Sequence, residues 1–139
     1  MKKLSGKLVA AMLLGMVCLS GCAQKEKLPD TFDEAAVREE AEKAVELFNE
    51  QDYQGIIDMG DENLKNTSTE EMFAENCAPV LEEKGEFQEI SKMKIVGNED
   101  KKSGVKYGGA IVTGTYAEGK IVFSIAFNED MELVQFIIQ

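Results

Sequence analysis

Chemistry near neutral pH has few carriers in this chain, because none of its 139 residues is histidine. Imidazole acid/base catalysis, His-ligated metals and Ser-His or Cys-His nucleophile pairs are excluded at once. The side chains left to consider are three cysteines (Cys18, Cys22, Cys77), three tyrosines (Tyr53, Tyr107, Tyr116) and many carboxylates. Phe73, Cys77 and Leu81 recur at four-residue spacing, which places Cys77 on the apolar face of a helix. With no histidine and no adjacent lysine to lower its pKa, Cys77 reads as a buried, inert thiol that packs as a small hydrophobe. For each tyrosine the plain reading is a ring in the core with its hydroxyl at the rim. Asp58, Asp61 and Asn63 lack the spacing and the closing Glu of a calcium loop, and no P-loop, G-x-S-x-G or C-x-x-C is present. No metal or cofactor is expected.

Charge narrows the partners. The chain carries 15 basic and 26 acidic residues, a formal net of -11. Lys2, Lys3 and Lys7 fall in the first 21 residues, which hold no acid, so the remaining 118 residues carry 12 basic and 26 acidic groups, a net of -14. Such a surface repels polynucleotide phosphates, and no basic stripe relieves it, so a nucleic acid partner is not expected. Glu39, Glu40, Glu42 and Glu46 read as the solvated face of a helix.

The three lysines precede the apolar run Leu8 to Val17, and small residues follow it. That is the order of a signal peptide: charged region, short apolar region, cleavage site. In helical form ten to twelve residues reach about 15 to 18 Å, half of the ~30 Å hydrocarbon thickness, too short for a stable span. Leu19-Ser20-Gly21-Cys22 resembles the bacterial lipobox, which directs diacylglyceryl transfer to the cysteine thiol and cleavage just before it. The resemblance implies a lipid on Cys22 and an exported protein held on the outer face of the cell membrane. Two acyl chains, at about 0.8 kcal/mol per buried methylene, give stable anchoring. With 14 Lys against a single Arg, Arg38, the composition suits an AT-rich, Gram-positive source. Cys77 is then the only thiol left, and no internal disulfide can form.

These residues need elements to position them. The chain divides into a signal peptide (1–21), a lipidated Cys22 with a tether to residue 30, and one domain over 31–139. Thr31 with Glu34 reads as a capping box for a first helix with the stripe Val37, Ala41, Ala44, Val45, Phe48. Asp52 caps a short second helix through Tyr53, Ile56 and Ile57 that ends at Gly60. Asp61 to Thr67 is polar and reads as loop. Ser68 with Glu71 opens a third helix that stops at Gly85, with a kink or break near Asn76 to Ala78 caused by Pro79.

Beyond Gly85 the apolar period falls from 3.6 to 2. Four strands are expected, Phe87 to Val96, Val105 to Tyr116, Lys120 to Asn128 and Met131 to Ile138, with a bulge near Ser91 and Lys92. Short connections make them an antiparallel meander. The fold class is α+β, about three N-terminal helices packed on a curved four-stranded antiparallel meander. Ile121, Phe123, Ile125 and Phe127 should lie under the helices. A second apolar set, Ala110, Val112, Val134, Phe136 and Ile138, is expected on the other face, where it would form a weak homodimer.

This order of elements, with the Asp52-Tyr53 helix start and the segment Leu81 to Ile90, resembles the cone-shaped fold of the nuclear transport factor two superfamily. Within it, Thr31 to Ile138 is most similar to small exported bacterial proteins of the domain of unknown function 3887 type. The superfamily includes isomerases and dehydratases with a pocket in the cone, and inert modules such as extensions of penicillin-binding proteins. Its enzymes use an Asp base, often with a Tyr donor or a His. Here that resemblance singles out Tyr53, Asp58, Tyr107 and Tyr116 as candidate pocket or core-rim residues, with Asp58 the nearest to a base. The leading expectation is a membrane-anchored, non-catalytic module that binds a small apolar ligand or a protein. The alternatives are an isomerase or lyase that uses Asp58 and a Tyr, and a passive tethered spacer.

Overall fold

The computed structural model describes residues 27–139. The signal segment, the Leu19-Ser20-Gly21-Cys22 box and the first part of the tether lie outside the described residues. Among the described residues four helices come first, α1 (Glu34–Asn49), α2 (Tyr53–Asp58), α3 (Glu62–Thr67) and α4 (Glu70–Lys84). Four strands follow, β1 (Phe87–Glu99), β2 (Lys106–Tyr116), β3 (Gly119–Phe127) and β4 (Leu133–Ile138), in one sheet of order β1-β2-β3-β4 with every pair antiparallel. The class is α+β, helices then meander. Among the described residues no helix is long and apolar enough to cross a membrane.

The helices form where an apolar stripe can be buried, and their caps differ from the expected ones by a few residues. In α1 the buried stripe is Val37, Ala41, Ala44, Val45 and Phe48. Its N-cap is Asp33, whose side chain makes no capping bond, and the Thr31–Glu34 box does not form. The chain instead turns so that the Phe32 amide donates to the Pro29 carbonyl (3.0 Å) and the Phe32 ring is buried. Asp52 does cap α2, accepting from the Gly55 amide at 2.9 Å. The segment expected as loop is helix α3: the Asp61 carboxylate accepts from the Leu64 amide (2.8 Å), and Leu64 is its one buried side chain. Ser68 ends α3, and Thr69, one residue later, caps α4 by accepting from the Met72 amide (3.1 Å). Pro79 does not break α4, which is continuous over Glu70–Lys84. Pro79 and Glu75 are both exposed, so water can take the Glu75 carbonyl that the missing amide leaves free.

Strand β1 shifts register between Phe87 and Glu89 and again between Ile90 and Lys92, the second at the expected place. Aligned rows then define the inner face: Val112, Phe123 and Ile138 form one row, and Ala110, Ile125 and Phe136 another. All six are buried at 4% exposure or less. This corrects the expected homodimer surface. Ala110, Val112, Phe136 and Ile138 belong to the core beneath the helices and cannot meet a second subunit, and Val134 is only half-buried. On β2 the unbroken register with β3 sets Ala110 and Val112 beside Ile125 and Phe123 on the inner face. On β4 the reason is an irregularity between Ala126 and Phe127, where Phe127 pairs with Leu133 but Ala126 with Gln135. Val134 is the extra residue, so Leu133 and Phe136 both point inward although three positions apart, and the phase of the strand inverts. The outer face carries rows such as Lys94, Ile111, Ser124, Ile137 and Lys92, Thr113, Val122.

The core is centred on Phe48, which meets Phe123 edge-to-face at 5.1 Å and Phe136 at 6.0 Å. At the far end of the β1–β2 hairpin, Lys27 to Pro29 lies across two glycines. A Cβ on Gly97 would stand 2.4 Å from the Lys27 carbonyl oxygen, and one on Gly108 would stand 2.7 Å from side-chain carbons of Leu28 and Phe32. Leu28 packs on the core, so the last residues of the expected tether are part of the domain.

Candidate functional site

The four candidate residues do not converge. Tyr107 and Tyr116 are nine residues apart on β2 and so face opposite sides of the sheet. Asp58, at the end of α2, is exposed and accepts a hydrogen bond from Gln54 Nε2 at 2.9 Å. The Tyr53 hydroxyl has no hydrogen-bond partner and the Tyr116 hydroxyl is bonded to Asn49, so neither reaches it, and the buried core contains no carboxylate among the described residues. The interior is filled by Phe48, Phe123, Phe127, Phe136, Ile56 and Ile121.

Tyr53 is 3% exposed and stacks on Phe73 with ring centroids 6.1 Å apart. Its hydroxyl is buried without a hydrogen-bond partner. Burial, with a smaller contribution from the Cys77 thiol, pushes the Tyr53 pKa up to about 12. Cys77 is 1% exposed, and burial alone pushes its thiol up to about 12 as well. The expected inert thiol is thus a core group that keeps its proton at physiological pH.

Tyr116 sits differently. Its ring is buried at the end of β2, and its hydroxyl donates to Asn49 Oδ1 on the last residue of α1. Burial raises its pKa above the ordinary tyrosine value, partly offset by that bond. Phe87, the first residue of β1, meets the ring edge-on at 5.3 Å and remains 36% exposed. Around this pair opens a cleft of about 520 Å³. Its walls are Asn49 and Gln51 at the end of α1, Ala78, Leu81 and Glu82 on α4, the Gly85-Glu86 junction, Phe87 and Tyr116.

Local chemistry fixes each wall. Helix α1 ends in a pair of bonds, from the Gln51 amide to the Phe48 carbonyl (3.0 Å) and from the Asp52 amide to the Leu47 carbonyl (2.9 Å). That Schellman pattern needs a left-handed residue, usually glycine, yet Gln51 occupies it with φ +60°. A residue with a side chain in this conformation costs of order 1 kcal/mol, and here it sets an amide at the cleft. Helix α4 stops at Gly85, at φ +81°, whose amide bonds to the Leu81 carbonyl. The β2–β3 turn is tied to the same junction by the Ala117 amide to the Glu86 carbonyl (2.9 Å) and the Glu118 amide to the Lys84 carbonyl (2.7 Å). Two helix ends, one strand start and one strand end are thereby held together.

Of the expected residues only Tyr116 lines this cleft. Asn49, Gln51, Glu82, Glu86 and Phe87 were not anticipated. One signal was available: Phe87 is a large apolar residue at the first position of a strand that elsewhere turns polar side chains outward, a position with little to bury it. The arrangement offers an aromatic and aliphatic floor, two amides and two carboxylates, in a volume of the size that small-molecule sites occupy. Among the described residues no group of three or more His, Cys, Asp or Glu is placed to hold a metal ion.

Comparison with known proteins adds the following. A family model described as "Protein of unknown function (DUF3887)" matches residues 41–136. A solved structure described as the NMR structure of a protein from Ruminococcus gnavus ATCC 29149 is 34% identical and superimposes with a TM-score of 0.70. The match covers 81% of this chain and 96% of that one. No curated protein matches.

Proposed function

Since the chain belongs to the DUF3887 family, we propose from that premise that it is an extracytoplasmic lipoprotein whose domain, of the cone-fold type, is a non-catalytic small-ligand module. The observation that carries the binding role is the cleft between the ends of α1 and α4, about 520 Å³ in volume and floored by the exposed Phe87 ring against Tyr116. A passive spacer needs no such opening. An enzyme built on Asp58 finds no support in the placement of that residue, exposed and bonded to Gln54. Export and anchoring rest on the first 22 residues: three lysines, an apolar run too short to span, and Leu19-Ser20-Gly21-Cys22.

Two measurements test this reading. Replacing Cys22 by Ser should release the protein from membranes and abolish metabolic labelling with a fatty acid; unchanged labelling would refute lipidation at that residue. For the binding role, the soluble chain from residue 22 onward, carrying Cys22→Ser, contains the whole described core. Titrated with indole and followed by amide NMR, it should show shifts concentrated at Asn49, Leu81, Phe87 and Tyr116. Shifts scattered over the surface, or unchanged by Phe87→Ala, would remove the cleft as a binding site.

A further inference from the structure

The charged groups of the cleft share one sign. Glu82 and Glu86 line it, and no lysine or arginine does. Both of the long helices, α1 with 16 residues and α4 with 15, direct their C-terminal ends at it. A helix C-terminus carries a partial negative charge equivalent to about half an elementary charge, effective within the last turn. Neither carboxylate takes part in a salt bridge, since the one ion pair among the described residues is Arg38 with Glu34 on the other end of α1. The floor of Phe87, Tyr116 and Leu81 is apolar, and the exposed face of an aromatic ring attracts cations. Lys84 in the last turn of α4 offsets the partial charge of that helix end but does not line the cleft, whereas the last turn of α1 holds no basic residue. An anionic ligand would therefore meet two carboxylates and the end of α1, and a neutral one would leave these charges unused.

We propose that the ligand of this cleft is an organic cation, an ammonium group bearing an aromatic or aliphatic arm. The ammonium sits between Glu82 and Glu86 at the helix ends, and the arm lies over Phe87 and Tyr116. Asn49 spends its carbonyl oxygen on the Tyr116 hydroxyl, so the group it has left to offer is its amide N–H pair, which suits an oxygen elsewhere on the ligand. The inference rests on the binding role proposed above and specifies the chemistry of the same cleft.

The test compares two probes of nearly equal shape, phenethylamine, which is cationic at pH 7, and 2-phenylethanol, which is neutral. Amide NMR titrations of the chain from residue 22 with Cys22→Ser give both affinities. Phenethylamine should bind at least tenfold more tightly, and the advantage should shrink as salt is raised. The double substitution Glu82→Gln, Glu86→Gln should bring the ratio near one while leaving the amide spectrum outside the cleft unchanged. Both side chains are exposed, so the variant is expected to fold. Equal affinities for the two probes, or a preference that survives the double substitution, overturn the cationic assignment but leave the cleft as a binding site. Absence of cleft shifts with either probe, and with indole, overturns the binding role itself.

Discussion

One chemical change, removal of a tyrosine hydroxyl, is predicted to have opposite signs at two buried sites. The Tyr53 hydroxyl is buried with no hydrogen-bond partner, so the folded state forfeits the bonds that it makes with water in the unfolded chain. An unmet buried polar group costs about 1 to 3 kcal/mol, and Tyr53→Phe removes the cost while keeping the stacking on Phe73. Stability should rise by about 1 to 2 kcal/mol, which for a domain of this size lifts Tm by roughly 4 to 8 °C. The Tyr116 hydroxyl is bonded to Asn49, so Tyr116→Phe deletes a made bond and leaves Asn49 Oδ1 half-buried. That should cost about 0.5 to 1.5 kcal/mol. Urea denaturation at pH 7 reads both, and the slope should be unchanged in each so that the midpoints alone move. If Tyr53→Phe destabilises as much as Tyr116→Phe, the orphan hydroxyl is satisfied by an internal water and the reasoning fails.

Phe123→Ala, which empties the position facing Phe48, should cost about 3 to 5 kcal/mol in the same denaturation assay; a loss under about 1 kcal/mol would mean that the inner row is misassigned. Stability should fall on the alkaline side, because the Cys77 thiol and Tyr53 hydroxyl ordinarily ionise near 9.0 and 10.0 but hold their protons to about 12 when folded. The folded state binds more protons through that window, so each group takes away up to about 1.4 kcal/mol per pH unit as pH rises; Cys77→Ala should flatten the stretch from pH 9 to 10 in urea midpoints measured against pH, and an unaltered curve would count against its burial. Gly97→Ala places a carbon 2.4 Å from the Lys27 carbonyl oxygen and should lift the segment off the hairpin. Trypsin should then cut after Lys27 several-fold faster than in the parent chain, and equal rates would show that the segment is not held there.

The large-period features were legible. The helix-to-sheet order, the α1 stripe, the inward row of β3 and the β1 bulge all follow from spacing, because each is a local pattern that tertiary packing reinforces. The face of β4 was not legible, since the extra residue at Val134 reverses the alternation and nothing local marks it. Helix α3 was hidden by its polarity, a single buried Leu64 being too little to show a period. The cleft was hidden for another reason. Its residues come from four elements between positions 49 and 116, and the only one with a distinct chemical signature was Tyr116.

The strap formed by Lys27 to Pro29 gives the domain a direction. It crosses the hairpin at Gly97 and Gly108, which pair with each other, while the cleft opens at Phe87 and Tyr116, which pair at the opposite end of the same ladder. From Gly108 to Tyr116 is eight residues of β2, about 27 Å at ~3.4 Å each. Cys22 lies five residues before Lys27, a span of at most about 17 Å of extended chain. Were the chain anchored at Cys22 as proposed, the domain would stand on a short leash at one pole, and its opening would look away from the surface that holds it. The bilayer would then sit behind the domain, and whatever enters the cleft would arrive from the side of the cell wall and the medium.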